Sequence, residues 1–218
     1  MKVAVIRLGL FGSYVAKALY EKGHDVLVID REKGIAQKAQ LFSSKSVIAD
    51  GTDRDVLEGL GIADMDLIIV AIGNNLSGSI LATMYLTELG VKNIIVKADN
   101  DDHKKILEKL GATQVIIPER EMAQKLARSI THPNVLDYLP LTEEYAVMEI
   151  IPPKSFVGKT LIDLQLRQKY GIQVIAIKDA VTDAIALVIP PEREIGSTDQ
   201  LILIGKQEAV EKIKGLGD

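Results

Sequence analysis

The sequence predicts an α/β protein: a doubly wound parallel sheet followed by a small C-terminal α+β module. Three observations predict it. Apolar, β-branched runs alternate with helical patterns through about the first 130 residues. Those runs are continuous rather than alternating, which marks strands covered on both faces. The rhythm then breaks near Thr131, and beyond it strand patterns follow one another with few helices between.

Taken in order, strands are predicted at 3–8, 25–30, 46–49, 66–72, 93–97 and 114–117, and helices at 11–22, 32–42, 54–60, 76–89, 101–110 and 119–130. Gly23, Gly90 and Gly111 each stand just past a helical pattern, where a left-handed residue closes the last turn. Residues 131–144 contain Pro133, Pro140 and a His-Pro step, and read as a linker. The second module is predicted as a strand at 145–151, a helix at 161–169, strands at 171–177, 184–189 and 200–204, and a helix at 207–214. The expected division is 1–131 for the first domain, with 118–131 its last helix, and 132–218 for linker and module.

Composition narrows the function. Of the 218 residues, 47% are hydrophobic and 26% charged, enough for a buried core. Aromatics are 4% with no Trp, net charge is −4, and Lys and Arg are scattered. A nucleic-acid partner is therefore not expected. With no Cys, neither disulfides nor thiolate metal sites are available, which suits a reducing cytosol. The strand pattern begins at Lys2, so no secretory signal is expected. Apolar runs such as 67–72 fall far short of the roughly 20 residues of a membrane span.

The chemistry concentrates where the first strand meets the first helix. A dinucleotide-binding loop reads G-x-G-x-x-G at this place. Here the stretch is Arg7-Leu8-Gly9-Leu10-Phe11-Gly12, so the second and third glycines are present and the first is Arg7. Gly9 lets backbone approach a pyrophosphate, Gly12 lets the helix pack on the strand, and the helix start near Phe11 directs its N–H groups at phosphates. Alone, this is also what an ordinary strand-to-helix turn looks like. Asp30 ends the second strand eighteen residues after Gly12, where a carboxylate accepts ribose hydroxyls and repels a 2′-phosphate. Arg31 beside it is placed to stack on adenine or meet a phosphate. Read alone, this pair is a helix cap and a surface charge. Later strand ends carry Asp50-Gly51-Thr52, Ala71-Ile72-Gly73-Asn74 and Lys97. Small residues there leave space for a flat ligand, Asp50 is placed to read an exocyclic amine, and Lys97 to meet a phosphate. All converge on one sheet edge, the carboxyl ends of the strands, where ligands of such sheets sit.

These features resemble the RCK (KTN) family, the cytosolic gating subunits of Trk and Ktr potassium uptake. The likeness covers nearly the whole chain. It rests on the loop 6–12, HDVLVID ending at Asp30, ADGTD around Asp50, LIIVAIGNN, NIIVKADN and PEREMAQKLA in the first domain. In the second it rests on VMEIIPPKSFVGKTLIDLQLRQKYGIQVIAIK and on STDQLILIG ending at Gly205. The resemblance implies a Rossmann-like domain binding ATP, ADP or NAD(H), with Gly9, Gly12, Asp30, Asp50, Gly73 and Lys97 at matching positions. It implies dimers arranged in a ring under an integral-membrane Trk/Ktr-type potassium channel subunit, a location peripheral to the cytoplasmic face, and a regulatory rather than enzymatic role. It also places a cation at Glu119, which the residues alone read as a helix-start carboxylate after Pro118. The family usually has Gly at position 7 and Arg at position 10, so the two residue types look exchanged. Leu10 cannot meet a terminal phosphate, and weak discrimination between ATP and ADP is expected.

Two other readings compete. A freestanding nucleotide sensor would need no channel partner. An NAD-dependent oxidoreductase would need a proton-transfer group at the nicotinamide, yet only His24, His103 and His132 are present, each read as a surface residue without metal-ligand spacing.

Overall fold

The computed structural model describes residues 1–73, 75–131, 135–142 and 144–214. The chain forms two compact units, the first Met1–Met122 and the second beginning at Ala123.

The first unit alternates strand and helix throughout: β1 (Lys2–Ile6), α1 (Leu10–Glu21), β2 (Asp25–Asp30), α2 (Lys33–Ala39), β3 (Lys45–Ile48), α3 (Arg54–Gly59), β4 (Leu67–Val70), α4 (Leu76–Glu88), β5 (Ile94–Lys97), α5 (Asp101–Lys109) and β6 (Gln114–Ile116). The six strands pair in parallel in the order β3-β2-β1-β4-β5-β6. After β3 the chain crosses to the far side of β1, so a crevice opens between β1 and β4 at their carboxyl ends, the usual ligand position of an open α/β sheet. Val3, Ala4, Val5 and Ile6 are all buried because both faces are covered. Ile6, Ile29, Ile68 and Leu86 fill one face, and Val5, Ala16, Val26 and Val28 the other. Each large aliphatic side chain so buried contributes about 1.5–3 kcal/mol. Gly23, Gly90 and Gly111 adopt φ of 80°, 81° and 101°, the left-handed closure expected of them. Helices α3, α4 and α5 start on the side chains of Asp53, Asn75 and Asn100, each accepting a first-turn N–H.

Helix α6 (Pro118–Thr131) carries the point at which the units divide. Beyond it lie β7 (Val135–Pro140), β8 (Tyr145–Ile150), α7 (Leu161–Leu164), α8 (Leu166–Tyr170), β9 (Gln173–Asp179), β10 (Ile185–Ala186), β11 (Asp199–Lys206) and α9 (Gln207–Lys214). The sheet order is β10-β9-β11-β8-β7, with antiparallel pairing. Its core includes Met148, Phe156, Leu164, Leu166, Ile177 and Leu203.

Three expectations for this unit need correction. The stretch read as a linker holds β7, an edge strand, where Pro140 at the strand end is tolerated because an edge leaves one row of N–H groups unused. The helix expected at 161–169 is two short helices, parted by Gln165 at φ 49°. Leu164 and Leu166 are both buried, and residues two apart cannot share one face of a continuous helix. The strand expected at 184–189 pairs only at Ile185–Ala186, since Pro190 and Pro191 supply no ladder donors and restrain the residue before them.

Candidate functional site

The sequence at the end of β1 places a tight turn under the start of α1, and the turn is built by Asp30. Its carboxylate is only 4% exposed. Leu8 N–H donates to Oδ2 at 2.7 Å and Glu32 N–H to Oδ1 at 2.9 Å. One side chain at the end of β2 thus ties its own exit loop to the β1–α1 loop, with a lone pair on each oxygen still available to ligand hydroxyls.

The glycines divide the remaining work. A Cβ at Gly12 would collide with the Arg7 carbonyl oxygen and press on Ala71, so Gly12 is needed for α1 to sit close to the sheet. A Cβ at Gly51 would collide with the Ile6 side chain. Around Gly9 the space is open, and Gly9 caps α1 without any side-chain hydrogen bond. This leaves bare backbone and a positive helix end facing outward, the setting for a phosphate. Leu8 is buried in the core and Phe11 packs against it, so these two offer the loop only backbone. Leu10 is 79% exposed.

Beside the loop lies a small open cleft lined by Ile6, Arg7, Ile29, Asp30, Arg31, Ala49, Asp50, Gly51, Thr52, Ile72 and Asn75. Seven of the residues expected from sequence meet here: Arg7, Asp30, Arg31, Asp50, Gly51, Thr52 and Ile72. Asp50 Oδ1 accepts from the Thr52 hydroxyl at 2.7 Å and the Thr52 N–H at 2.9 Å. These bonds, with the nearby Arg31 and Arg7 charges, hold its carboxyl below the usual range. Isoleucines form an apolar floor against these polar walls, the composition of a small-molecule site.

Other expected residues lie apart from this cleft. Ala71 is buried beneath Gly12. The Lys97 amine leans over Gly73 and pairs with Glu119, lowering the Glu119 pKa by that hydrogen bond. Among the described residues no cluster of three acidic or histidine groups could hold a metal ion, and Glu119 faces Lys97 instead. Asn74 lies outside the described residues. Sequence reading missed Ile6, Ile29, Ala49 and Asn75 as cleft residues. Asn75 was recoverable, because an Asn before a helical run is an N-cap signal and the cap sits at a strand end.

The reading of His103 as a surface residue is wrong. The ring is 1% exposed, in the first turn of α5 against α4. Its Nδ1 accepts the Asp99 N–H at 3.3 Å, so Nε2 carries the proton and donates to Ser79 Oγ at 2.7 Å. Burial lowers its pKa, with the Asp99 charge acting the other way. His24 is half-buried at a turn, and His132 lies outside the described residues.

Comparison with known proteins extends the geometry. Residues 3–118 match the TrkA-N domain and residues 146–216 the TrkA-C domain. The chain belongs to the TrkA-N/TrkA-C family. This TrkA-type chain is 44% identical over 205 residues to Ktr system potassium uptake protein C of Bacillus subtilis, covering 93% of the chain and 90% of the relative. The GsuK RCK domain superposes with a TM-score of 0.67 at 18% identity, covering 99% of this chain and 47% of that one, a likeness of fold. The GsuK channel bound to NAD superposes with a TM-score of 0.55 at 25% identity, covering 98% of this chain and 38% of that one.

Proposed function

We propose that the chain is the adenine-nucleotide-sensing regulatory subunit of a Ktr/Trk-type potassium-uptake system, acting on a separately encoded channel subunit at the cytoplasmic face of the membrane. The observation that carries the reading is the buried Asp30 carboxylate, which joins the ribose position to the phosphate loop. The cleft takes the adenosine, the ribose hydroxyls meet Asp30, and the phosphates extend over Gly9 toward the start of α1. Because Asp30 also holds the Leu8 N–H, occupancy of the ribose position bears directly on the placement of α1. A ligand moves such a subunit between states only through differential affinity for them. The potassium-uptake name of the relative and the NAD-bound neighbour support the ligand class and the role. No helix among the described residues is long and apolar enough to cross a membrane, so a partner supplies the pore in this reading.

Helix α6 is the proposed crossover between subunits, with residues 1–131 as the nucleotide domain and 132–218 as linker and C-terminal module. Met122 and Ile130 on it are 65% and 70% exposed, an apolar stripe suited to a second copy. Glu119 is placed to approach a cation only once phosphates are bound, since by itself it neutralises Lys97. The test is potassium flux in vesicles holding a Ktr-type channel subunit. Adding the chain with an adenine nucleotide should change the flux, and Asp30→Ala should remove the response. Flux indifferent to chain and nucleotide would overturn the regulatory reading.

A further inference from the structure

The first residue of the loop stands out from its surroundings. Arg7 has φ of 69°, a left-handed conformation that side chains with a Cβ adopt at a cost and that glycine adopts freely. Its N–H donates to Ile29 O at 2.8 Å, so the turn itself is held by backbone. Nothing in that bond requires an arginine. The side chain lines the cleft together with Arg31, and among the described residues neither guanidinium has a hydrogen bond or ion pair. Both lie near enough to Asp50 to act on it electrostatically, yet neither forms an ion pair with it. Asp50 instead spends Oδ1 on Thr52, and Asp30 spends both oxygens on backbone N–H groups. Two unspent cations therefore converge on one small cleft, one of them on a strained residue. Strain retained at a binding surface indicates a side chain that works there, and a guanidinium with free donors suits a planar, bidentate oxyanion.

Resting on the nucleotide reading above, we propose that Arg7 is the phosphate-reading residue of this cleft, taking a phosphate group of the bound adenine nucleotide with Arg31 beside it. The phosphate is that of the 5′ chain, because the Asp30 carboxylate repels one at the ribose 2′ position, and the two sources separate experimentally. Arg7→Gly removes the guanidinium and relieves the left-handed strain, so the variant should melt a few degrees higher, roughly 2–4 °C. Calorimetry then compares adenosine with ADP, and NAD with NADP, on wild type and variant. For the phosphate source that Arg7 reads, the preference for the phosphorylated ligand should fall by about 10- to 100-fold in Arg7→Gly. Adenosine affinity should stay within about twofold, and Arg7→Lys should keep part of the preference. A collapsed ADP/adenosine ratio assigns the 5′ chain, and a collapsed NADP/NAD ratio assigns the 2′ position. Neither ratio changing, or adenosine losing as much as ADP, overturns the assignment while leaving the nucleotide site standing. Wild type binding none of the four ligands removes the nucleotide site and this proposal together.

Discussion

Gly9 and Gly12 belong to one motif, yet the structure gives them separable jobs. Gly12→Ala forces a Cβ into the Arg7 carbonyl and should destabilise the fold by about 1–3 kcal/mol, read as a lowered denaturation midpoint. Gly9→Ala meets open space, so stability should hold while nucleotide affinity falls, because the methyl occupies the approach to the start of α1. Equal stability losses in both would show that the loop is only a packing device. Asp30 is likewise more than a ribose acceptor. Losing its two charge-assisted bonds to backbone should lower stability by about 2–4 kcal/mol, a loss that a domain of ordinary stability survives. Spacing pointed to Asp30 and to both glycines, because these are demands of local backbone geometry. It could not show that Arg7 would keep the left-handed turn of the glycine it replaces, or that His103 would be buried. Both depend on which side chains later strands and helices bring alongside.

At the scale of elements, the parallel sheet was legible because two-sided burial writes itself as unbroken apolar runs. The second unit was less so. β7 was hidden by the Pro residues around it, β10 was overextended by the apolar run to Ile189, and the break at Gln165 follows from the need to bury Leu164 and Leu166 together. The α4–α5 contact carries a pH signature. His103 holds a pKa below its unfolded value near 6.5, so the unfolded chain binds the extra proton first. Its contribution to stability is complete above about pH 6.5 and lost as pH falls toward the folded pKa, by up to about 1.4 kcal/mol per pH unit in that window. His103→Gln, which keeps a donor for Ser79 without titrating, should flatten the stability profile between pH 7 and 5. An unchanged slope would show that His103 is not the titrating group. Helix α6 makes a second test: with Met122 and Ile130 both changed to Glu, an assembled protein should dissociate while each chain stays folded. Assembly unaffected by the pair would place the subunit contact elsewhere.

At the scale of the whole molecule, the proposed function requires chains that assemble, each with a nucleotide cleft in its first unit. Light scattering at micromolar concentration should give at least twice 23.8 kDa, and a clean monomer would favour a freestanding sensor. The second unit carries its own open groove, between Leu161, Ile162, Leu187 and Ile189 among others. An adenine nucleotide should bind where Asp30 closes the loop, and titration calorimetry of ADP into the purified chain reads this without a channel partner. The expected result is saturable binding of one nucleotide per chain, weakened at least tenfold in folded Asp30→Ala, as loss of a charged hydrogen bond requires. No binding by the wild type, or unchanged affinity in the folded variant, would contradict it.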